Sequence, residues 1–301
     1  MTYDLFIGDR TFSSWSLRGW LMFEKFGIPA KTHMAGLYSG TLAEDLSELH
    51  PARQVPAMRD ADGIVVYDTL AMAETLAERH PEKGLWPLCP SARALARSIT
   101  AEMHSGFSSL RSDCPMQLAH QIRDFKPSGR VLEDLERIDL LWTHARQKHG
   151  VDGPWLFGSY SIADAFYAPV AARIAGYGLE VGKAAREYVS ATLGDTAFRQ
   201  WRAMGLTVKY DPAPHDAGLP VGEWPGPAHP AARAVGSGRP ENAACPYSGG
   251  KAEHMLETEG RIFGFCNPFC RDKTAADPDA WPKFIALRDG AHRAPWQPRA
   301  R

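Results

Sequence analysis

The stretch Thr11–Arg18, TFSSWSLR, decides the fold of the first part of this chain. A short apolar run, Tyr3–Ile7, precedes it, and a helix-like segment, Leu17–Phe26, follows it and ends at a glycine. This order predicts a strand, a turn rich in hydroxyl groups and a helix. The first N–H groups of a helix have no partner within the helix and carry the positive end of its dipole, so the turn suits an anion or a polarised sulfur atom.

Three serines of this turn can donate a hydrogen bond to such a ligand: Ser13, Ser14 and Ser16. The alternative is that one of them only caps the helix, a common use that is worth about 1 kcal/mol. The turn alone does not separate these two uses.

The composition argues against several classes of protein. With 301 residues, a net charge of -1 and a pI near 6.8, the chain lacks the positive charge expected of a protein that binds nucleic acid or anionic membranes. No apolar run approaches the ~20 residues of a membrane span and no signal-peptide core is seen, which predicts a soluble cytoplasmic protein. Three of the five cysteines lie near the C-terminal end, which favours a local metal or redox use over a disulfide framework.

Further elements are predicted up to residue 80, and with the first strand and helix they give the order βαβ-ββα. They are a strand at Lys31–Ala35, a short helix at Leu42–Leu49, a hairpin of Ala57–Arg59 with Ile64–Tyr67, and a helix from Asp68 to His80.

This order resembles the N-terminal thioredoxin-like domain of the glutathione transferases over residues 1–85. In that family a serine or tyrosine after the first strand donates a hydrogen bond to the glutathione sulfur. A cis-proline follows a residue whose backbone binds the cysteinyl part, and an acidic-hydroxyl pair holds the γ-glutamyl end. The resemblance implies that glutathione is bound by Gln54, Val55, Pro56, Asp68 and Thr69.

The motif SSWSLR is most similar to the zeta-type and related bacterial branches, which favours Ser13 as the donor to the thiol, with Ser14 and Ser16 as rivals. Trp15 stands where zeta-type enzymes carry a cysteine, and this departure weakens a transfer of their isomerase chemistry. The resemblance therefore implies conjugation of glutathione to a small electrophile, with serine as hydrogen-bond donor rather than nucleophile. A zeta-type isomerase and a non-catalytic protein that binds glutathione or metal are the alternatives.

Residues 88–210 predict helices almost throughout. The box Ser161-Ile-Ala-Asp164 is an N-terminal capping box, and glutathione transferases carry the same box in their second domain. Met103, Phe107 and Arg111 are candidates for the border of an electrophile pocket, although apolar residues at this spacing are more often core. The predicted helices are Ala92–Leu110, Val131–Lys148, Ser161–Ala175, Lys183–Thr192 and Asp195–Met204.

Residues 211–241 are rich in proline and glycine and predict a linker or an extended surface arm. Residues 242–290 contain a strand, Arg261–Phe265, and three cysteines in the spacing CX20CX3C, namely Cys245, Cys266 and Cys270. This segment resembles the TRASH or YHS family of small metal-binding modules, which implies a site for a soft cation such as Zn²⁺ or Cu(I).

A closed zinc site needs a fourth ligand, and Ser248 stands where many such modules have another cysteine. The remaining sources are His254, Asp272, water or a partner. The alternative to a metal site is a pair of free or oxidisable thiols.

Together these patterns predict an α+β protein. It has a thioredoxin-like domain at residues 1–85, an all-helical domain at 88–210, a linker at 211–241 and a small module with a β-hairpin, a helix and cysteines at 242–290. Glutathione is the predicted co-substrate, zinc the candidate metal and a small electrophile the substrate. The transferase family implies a homodimer.

Overall fold

The computed structural model describes residues 2–150, 152–208 and 218–290. The chain divides into two compact units, one of residues 1–198 and 210–226 and one of residues 199–209 and 227–301, so far as these are described. Strands and helices are both present in the order expected, and the predicted α+β class is confirmed. None of the helices in the described part combines the length and apolar character that crossing a lipid bilayer requires.

A four-stranded sheet begins the first unit. Strand β1 (Tyr3–Ile7) pairs in parallel with β2 (Ala30–Met34) and antiparallel with β3 (Ala57–Arg59), which in turn pairs with β4 (Val65–Tyr67). The strand order is therefore β2-β1-β3-β4. The odd-numbered residues of β1 are fully buried while its even-numbered ones are half-buried, because one face of the sheet packs on the core.

Three helices connect these strands in the predicted βαβ-ββα order: α1 (Ser14–Glu24), α2 (Leu42–Asp45) and α3 (Thr69–Arg79). The start of α1 lies earlier than Leu17, because the side chain of Ser13 accepts a hydrogen bond from the backbone N–H of Ser16 and caps the helix. The serines of the hydroxyl-rich segment therefore form the cap and the first turn of this helix.

The rest of the first unit is helical. Asp164 accepts hydrogen bonds from the backbone N–H and hydroxyl of Ser161 at 2.8 and 3.0 Å, which forms the predicted capping box. A two-residue strand, β5 (Gln121–Ile122), pairs with β6 (Val221–Gly222). The helices are α4 (Pro90–Ser105), α5 (Ser108–Asp113), α6 (Gly129–His149), α7 (Ile162–Gly176), α8 (Lys183–Gly194) and α9 (Thr196–Gly205), the last of which contains the division between the units.

The prediction of one continuous helix at Ala92–Leu110 is wrong, because α4 ends at Ser105 and α5 begins at Ser108. Phe107 adopts a left-handed conformation with φ +54°. A Cβ at Gly106 would lie 2.6 Å from the carbonyl oxygen of Glu102, so only glycine fits this close approach.

The second unit contains a three-stranded antiparallel sheet in the order β7 (Ala232–Val235), β8 (His254–Thr258) and β9 (Arg261–Phe265). Two helices follow, α10 (Pro268–Ala276) and α11 (Pro282–Gly290). Its core is small and mostly aromatic, and includes Leu256, Phe263, Phe265, Trp281 and Phe284.

The segment predicted as a linker, 211–241, is more ordered than its composition suggested. Its residues 211–217 lie outside the described part, while β6 and β7 both fall within the remainder. Proline and glycine interrupt apolar periodicity, and such short strands therefore leave no readable pattern in the sequence.

Candidate functional site

A single cleft in the first unit contains most of the predicted site residues. Its volume is about 890 Å³, within the range of ligand pockets in proteins. The predicted residues that line it are Ser13, Ser14, Gln54, Val55, Pro56, Asp68, Thr69 and Arg111.

The three serines occupy different positions. Ser13 and Ser14 line the cleft, whereas Ser16 does not and is fully buried. Ser16 Oγ accepts hydrogen bonds from the N–H of Gly8 at 2.9 Å and from the hydroxyl of Ser13 at 2.8 Å. Ser16 therefore ties the turn to the end of β1, and the hydroxyl hydrogen of Ser13 is already used inside the turn.

Ser14 is the first residue of α1 and its hydroxyl faces a cation. Its Oγ accepts a hydrogen bond from Nη2 of Arg173 at 3.4 Å. As the oxygen is the acceptor in this contact, its own hydrogen is available for a ligand. The N–H groups of Ser14 and Trp15, in the first turn of the helix, have no acceptor within that helix.

The Val55–Pro56 turn lies against α1. The peptide bond between these residues is cis. A Cβ at Gly19 of α1 would lie 2.8 Å from Cγ of Pro56, so the missing side chain allows the helix and the proline to pack directly together. This contact sets the distance between the serines and the Val55 backbone.

Asp68 and Thr69 form the start of α3 at the edge of the cleft. Asp68 caps α3 by accepting hydrogen bonds from the N–H groups of Leu70 and Ala71 at 2.8 and 3.3 Å, and its other oxygen lies 3.2 Å from Nε2 of His104. The hydroxyl of Thr69 is buried without a hydrogen-bond partner among the described residues. A buried hydroxyl without a partner is costly, so this group is suited to a ligand.

Arginine side chains form the side of the cleft nearest the serines. Arg111 and Arg173 both line it, and Arg173 is 5% exposed. Burial, and then the charge of Arg111, lowers the pKa of Arg173 to about 10. Two guanidinium groups lie over the ring of Trp15, with Arg18 at 4.3 Å and Arg111 at 4.8 Å from its centroid.

Two of the three residues predicted to border an electrophile pocket lie elsewhere. Met103 and Phe107 are buried and line a smaller cavity behind Trp15, together with Arg111, which lines both spaces. Phe107 lies between α4 and α5, and Met103, Phe107 and Leu110 are all buried and line this smaller cavity together.

Sequence reasoning missed several residues that line the cleft. Arg173 is on α7, far from the serines in sequence, and no local pattern marks it. Tyr38, Pro51 and Arg53 also line the cleft from connecting segments. Arg18 lines the smaller cavity and not this cleft, and it is 2% exposed, although an arginine in an amphipathic helix is usually exposed.

The second unit brings its three cysteines together. The sulfur atoms of Cys245, Cys266 and Cys270 all lie within 4.8 Å of one another. Cys266 follows β9, and Cys270 lies in the first turn of α10, where its N–H donates to Oδ1 of Asn267 at 2.8 Å. A group of three thiols that are partly or fully buried is a ligand set that soft cations prefer.

The fourth ligand of such a site is not provided by the two side chains considered from the sequence. Among the described residues, neither His254 nor Asp272 joins the three sulfur atoms. His254 is in β8 opposite Phe265, and Asp272 binds Nε of Arg271 at 2.7 Å. Ser248 does approach, because its hydroxyl donates to Sγ of Cys266 at 3.1 Å.

Comparisons with known proteins agree with this architecture. Residues 12–79 match the family model of the glutathione S-transferase N-terminal domain. The probable maleylacetoacetate isomerase of Caenorhabditis elegans is 29% identical over 164 residues, which are 53% of this chain and 75% of that protein. A stringent starvation protein A homolog of Haemophilus ducreyi is 23% identical over 180 residues, 58% of this chain and 78% of that protein.

The solved structures give the same result for the fold. A glutathione transferase homolog from Burkholderia BGR1, with bound glutathione, covers 69% of this chain and 100% of that chain, with a TM-score of 0.53 and 20% identity. At this identity the likeness shows the fold alone. A thioredoxin-like domain followed by a helical domain, as in glutathione transferases, is therefore the fold of the first unit.

Proposed function

We propose that the first unit is a glutathione transferase that binds glutathione in the large cleft and activates its thiol for attack on a small electrophile. One observation carries the proposal: the serines at the start of α1, the Val55–Pro56 turn and the Asp68-Thr69 pair all line the same cleft. In this arrangement the serine turn takes the sulfur, the Val55 backbone takes the cysteinyl part, and Asp68 with Thr69 takes the charged γ-glutamyl end.

The role of the serine is to favour the thiolate. A free thiol has a pKa near 8.5, and the thiolate is the nucleophile. A hydroxyl donor, the first N–H groups of α1 and the guanidinium of Arg173 all stabilise the negative charge on sulfur. The thiolate then forms the new carbon–sulfur bond, while serine stays a donor throughout.

The hydrogen bonds favour Ser14 as this donor over Ser13, which the motif had favoured. Ser13 must turn its hydroxyl away from Ser16 before it can donate to a ligand, and Ser14 needs no such change. Ser13, as the cap of α1, then has mainly a structural role.

The test is a set of matched variants, Ser13→Ala, Ser14→Ala and Ser16→Ala, assayed for conjugation of glutathione to a generic aryl halide. We expect Ser14→Ala to lose most activity while glutathione still binds. A purified protein that binds glutathione but conjugates no electrophile would refute the enzyme and favour a non-catalytic protein.

A second candidate activity, the glutathione-dependent isomerase, is favoured by the two arginines of the cleft and by the relative named as a maleylacetoacetate isomerase. Arg111 and Arg173 are suited to carboxylate groups of a substrate. Turnover of a carboxylated cis-enedione without consumption of glutathione would identify this activity. Loss of that turnover in Arg111→Met, with aryl halide conjugation retained, would assign Arg111 to the substrate.

For the second unit we propose a site for one soft cation, Zn²⁺ or Cu(I), held by Cys245, Cys266 and Cys270. The proximity of the three sulfur atoms supports it. Bound as thiolates, these residues would connect the loop before β8, the end of β9 and the start of α10. We expect about one equivalent of metal per chain, and a protein with all three cysteines replaced by serine that still retained the metal would refute the site.

The homodimer is implied by the transferase resemblance alone, and the cytoplasmic location is the expectation from the sequence. We propose a cytoplasmic homodimer, with no nucleic-acid or membrane partner. Sedimentation of the purified protein at micromolar concentration tests the oligomeric state, and a monomer would refute the dimer.

A further inference from the structure

A small cavity lies behind Trp15 in the first unit. About 10 Å³ of it is open to the centre of a water-sized sphere, so the cavity can hold one small particle. Three arginines and a histidine line it among apolar side chains, namely Arg18, Arg111, Arg173 and His104.

The arginine at the back of this cavity is buried without an acidic partner. Arg18 is 2% exposed, and its Nε and Nη1 atoms have no hydrogen-bond partner among the described residues. Its guanidinium contacts the ring faces of Trp15 and Phe166 instead, at 4.3 and 5.4 Å. Burial, and then the charges of Arg173 and Arg111, lowers the pKa of Arg18 to about 9.

The nearby negative charge does not balance these cations. Asp68 contacts His104 at 3.2 Å, and its other oxygen accepts from two backbone N–H groups of α3. Among the described residues, Arg18, Arg111 and Arg173 form no ion pair with a carboxylate; Arg18 and Arg173 are buried, whereas Arg111 is exposed. An unbalanced buried cation costs several kcal/mol, which a bound anion would offset.

We propose that this cavity binds one halide-sized monovalent anion, chloride under physiological conditions. A water molecule is a poor occupant because guanidinium groups only donate hydrogen bonds, and it would find few acceptors for its own hydrogens. An anion accepts hydrogen bonds from Nε and Nη1 of Arg18, which have no other partner among the described residues. The cavity is too small for a phosphate or for most carboxylates, which separates this site from the large cleft even though Arg111 and Arg173 line both.

The experiment compares thermal unfolding of the full chain in sodium chloride, bromide, acetate and gluconate at constant ionic strength. With chloride tenfold above its dissociation constant we expect the midpoint of the first unit to rise by about 3–5 °C relative to gluconate. Bromide should act like chloride. Equal midpoints in all four salts would overturn the proposal, and an equal rise in acetate would assign the site to a carboxylate group instead.

Two variants locate the effect. Arg18→Gln should abolish the chloride-dependent shift, whereas Arg97→Gln, which removes an exposed arginine paired with Glu74, should retain it. If Arg18→Gln does not fold, crystals of the unaltered protein soaked in bromide decide the question. Anomalous scattering beside the Arg18 guanidinium supports the site, and its absence in well-diffracting crystals refutes it.

Discussion

The two candidate sites of this chain are built in opposite ways. The cleft of the first unit is shaped by backbone and packing, with a capped helix start, a proline turn and a second capped helix around it. The cysteine group of the second unit consists of three side chains: one in the loop before β8, one directly after β9 and one in the first turn of α10. The first site is therefore held in shape by the surrounding fold, whereas the second has only a small sheet and a short helix around it.

The size of the two cores explains this difference. The first unit buries large side chains along several helices, including Trp142, Tyr167 and Phe166. The second relies on a few aromatic residues around a three-stranded sheet. Small domains with limited cores commonly need a bound metal, disulfides or a similar cross-link to be stable.

Removal of metal should have the largest effect on stability, and it should destabilise the second unit but not the first. Because the proposed cation binds only the folded second unit, chelation should lower the stability of that unit by at least about 4 kcal/mol, the value for a ligand a thousandfold above its dissociation constant. Hydrogen exchange resolved by segment should show lost protection in β8 and β9 and unchanged protection in β1 and α7. Equal loss of protection in both units, or no loss in either, would contradict the proposal that a metal stabilises the second unit and not the first.

Replacement of the thiol donor comes next in size and affects only the first unit. Ser14→Ala should lower kcat for conjugation by about 10²–10³-fold, the range for loss of one donor to a developing negative charge. The pH profile should shift as well, because the bound thiol ionises at higher pH without the donor. Full activity in this variant, with Ser13→Ala inactive, would transfer the role to Ser13.

The capping box gives the first unit a pH dependence of its own. Burial raises the pKa of Asp164 to about 6, although its hydrogen bonds to Leu156 and Ser161 act in the opposite direction. The folded state thus holds the proton more tightly than the unfolded chain, where the pKa is near 3.9. The stability contributed by this group should be greatest below about pH 4 and should fall, by up to about 3 kcal/mol, as the pH rises through 6.

The measurement is urea unfolding of the protein and of Asp164→Asn between pH 4 and 7. Subtraction of the two curves removes the contribution of other carboxyl groups, such as Asp60, whose pKa is lowered and whose effect has the opposite sign. A difference that does not vary with pH would show that Asp164 does not titrate in this range.

The smallest expected effect is that of the helix cap. Ser13→Ala should cost about 1 kcal/mol of stability, because the N–H of Ser16 loses its acceptor. Thermal unfolding measures it, and Ser190→Ala, which changes an exposed serine within α8, is a suitable control. A midpoint unchanged relative to that control would show that the cap contributes little.

The sequence predicted the order of elements well where periodicity and capping residues were strong. The capping box at Ser161 and the strand Arg261–Phe265 are observed as expected. The break between α4 and α5 was not predicted, because it occurs at a phenylalanine in the left-handed backbone conformation, which this residue type rarely adopts. The strand β7 was not predicted from the sequence, because the strand with which it pairs, β8, lies beyond a turn-rich stretch.

For the candidate site, local motifs identified the residues at helix starts and turns, which have short-range signatures. They did not identify the contact of Arg173 with Ser14 or the contacts of Trp15 with Arg18 and Arg111, because these contacts join α1, α5 and α7 across the fold. Contacts between distant segments leave no spacing to read in a single sequence.

The absence of a side chain at Gly19 has a consequence for anyone who would redesign this protein. Helix α1 packs directly on Pro56, with no Cβ between them. This one contact therefore positions both the hydroxyl that would donate to the sulfur and the backbone that would bind the peptide. Enlarging position 19 would misalign both at once, so affinity for glutathione and reactivity of its thiol should decline together rather than be adjusted one at a time.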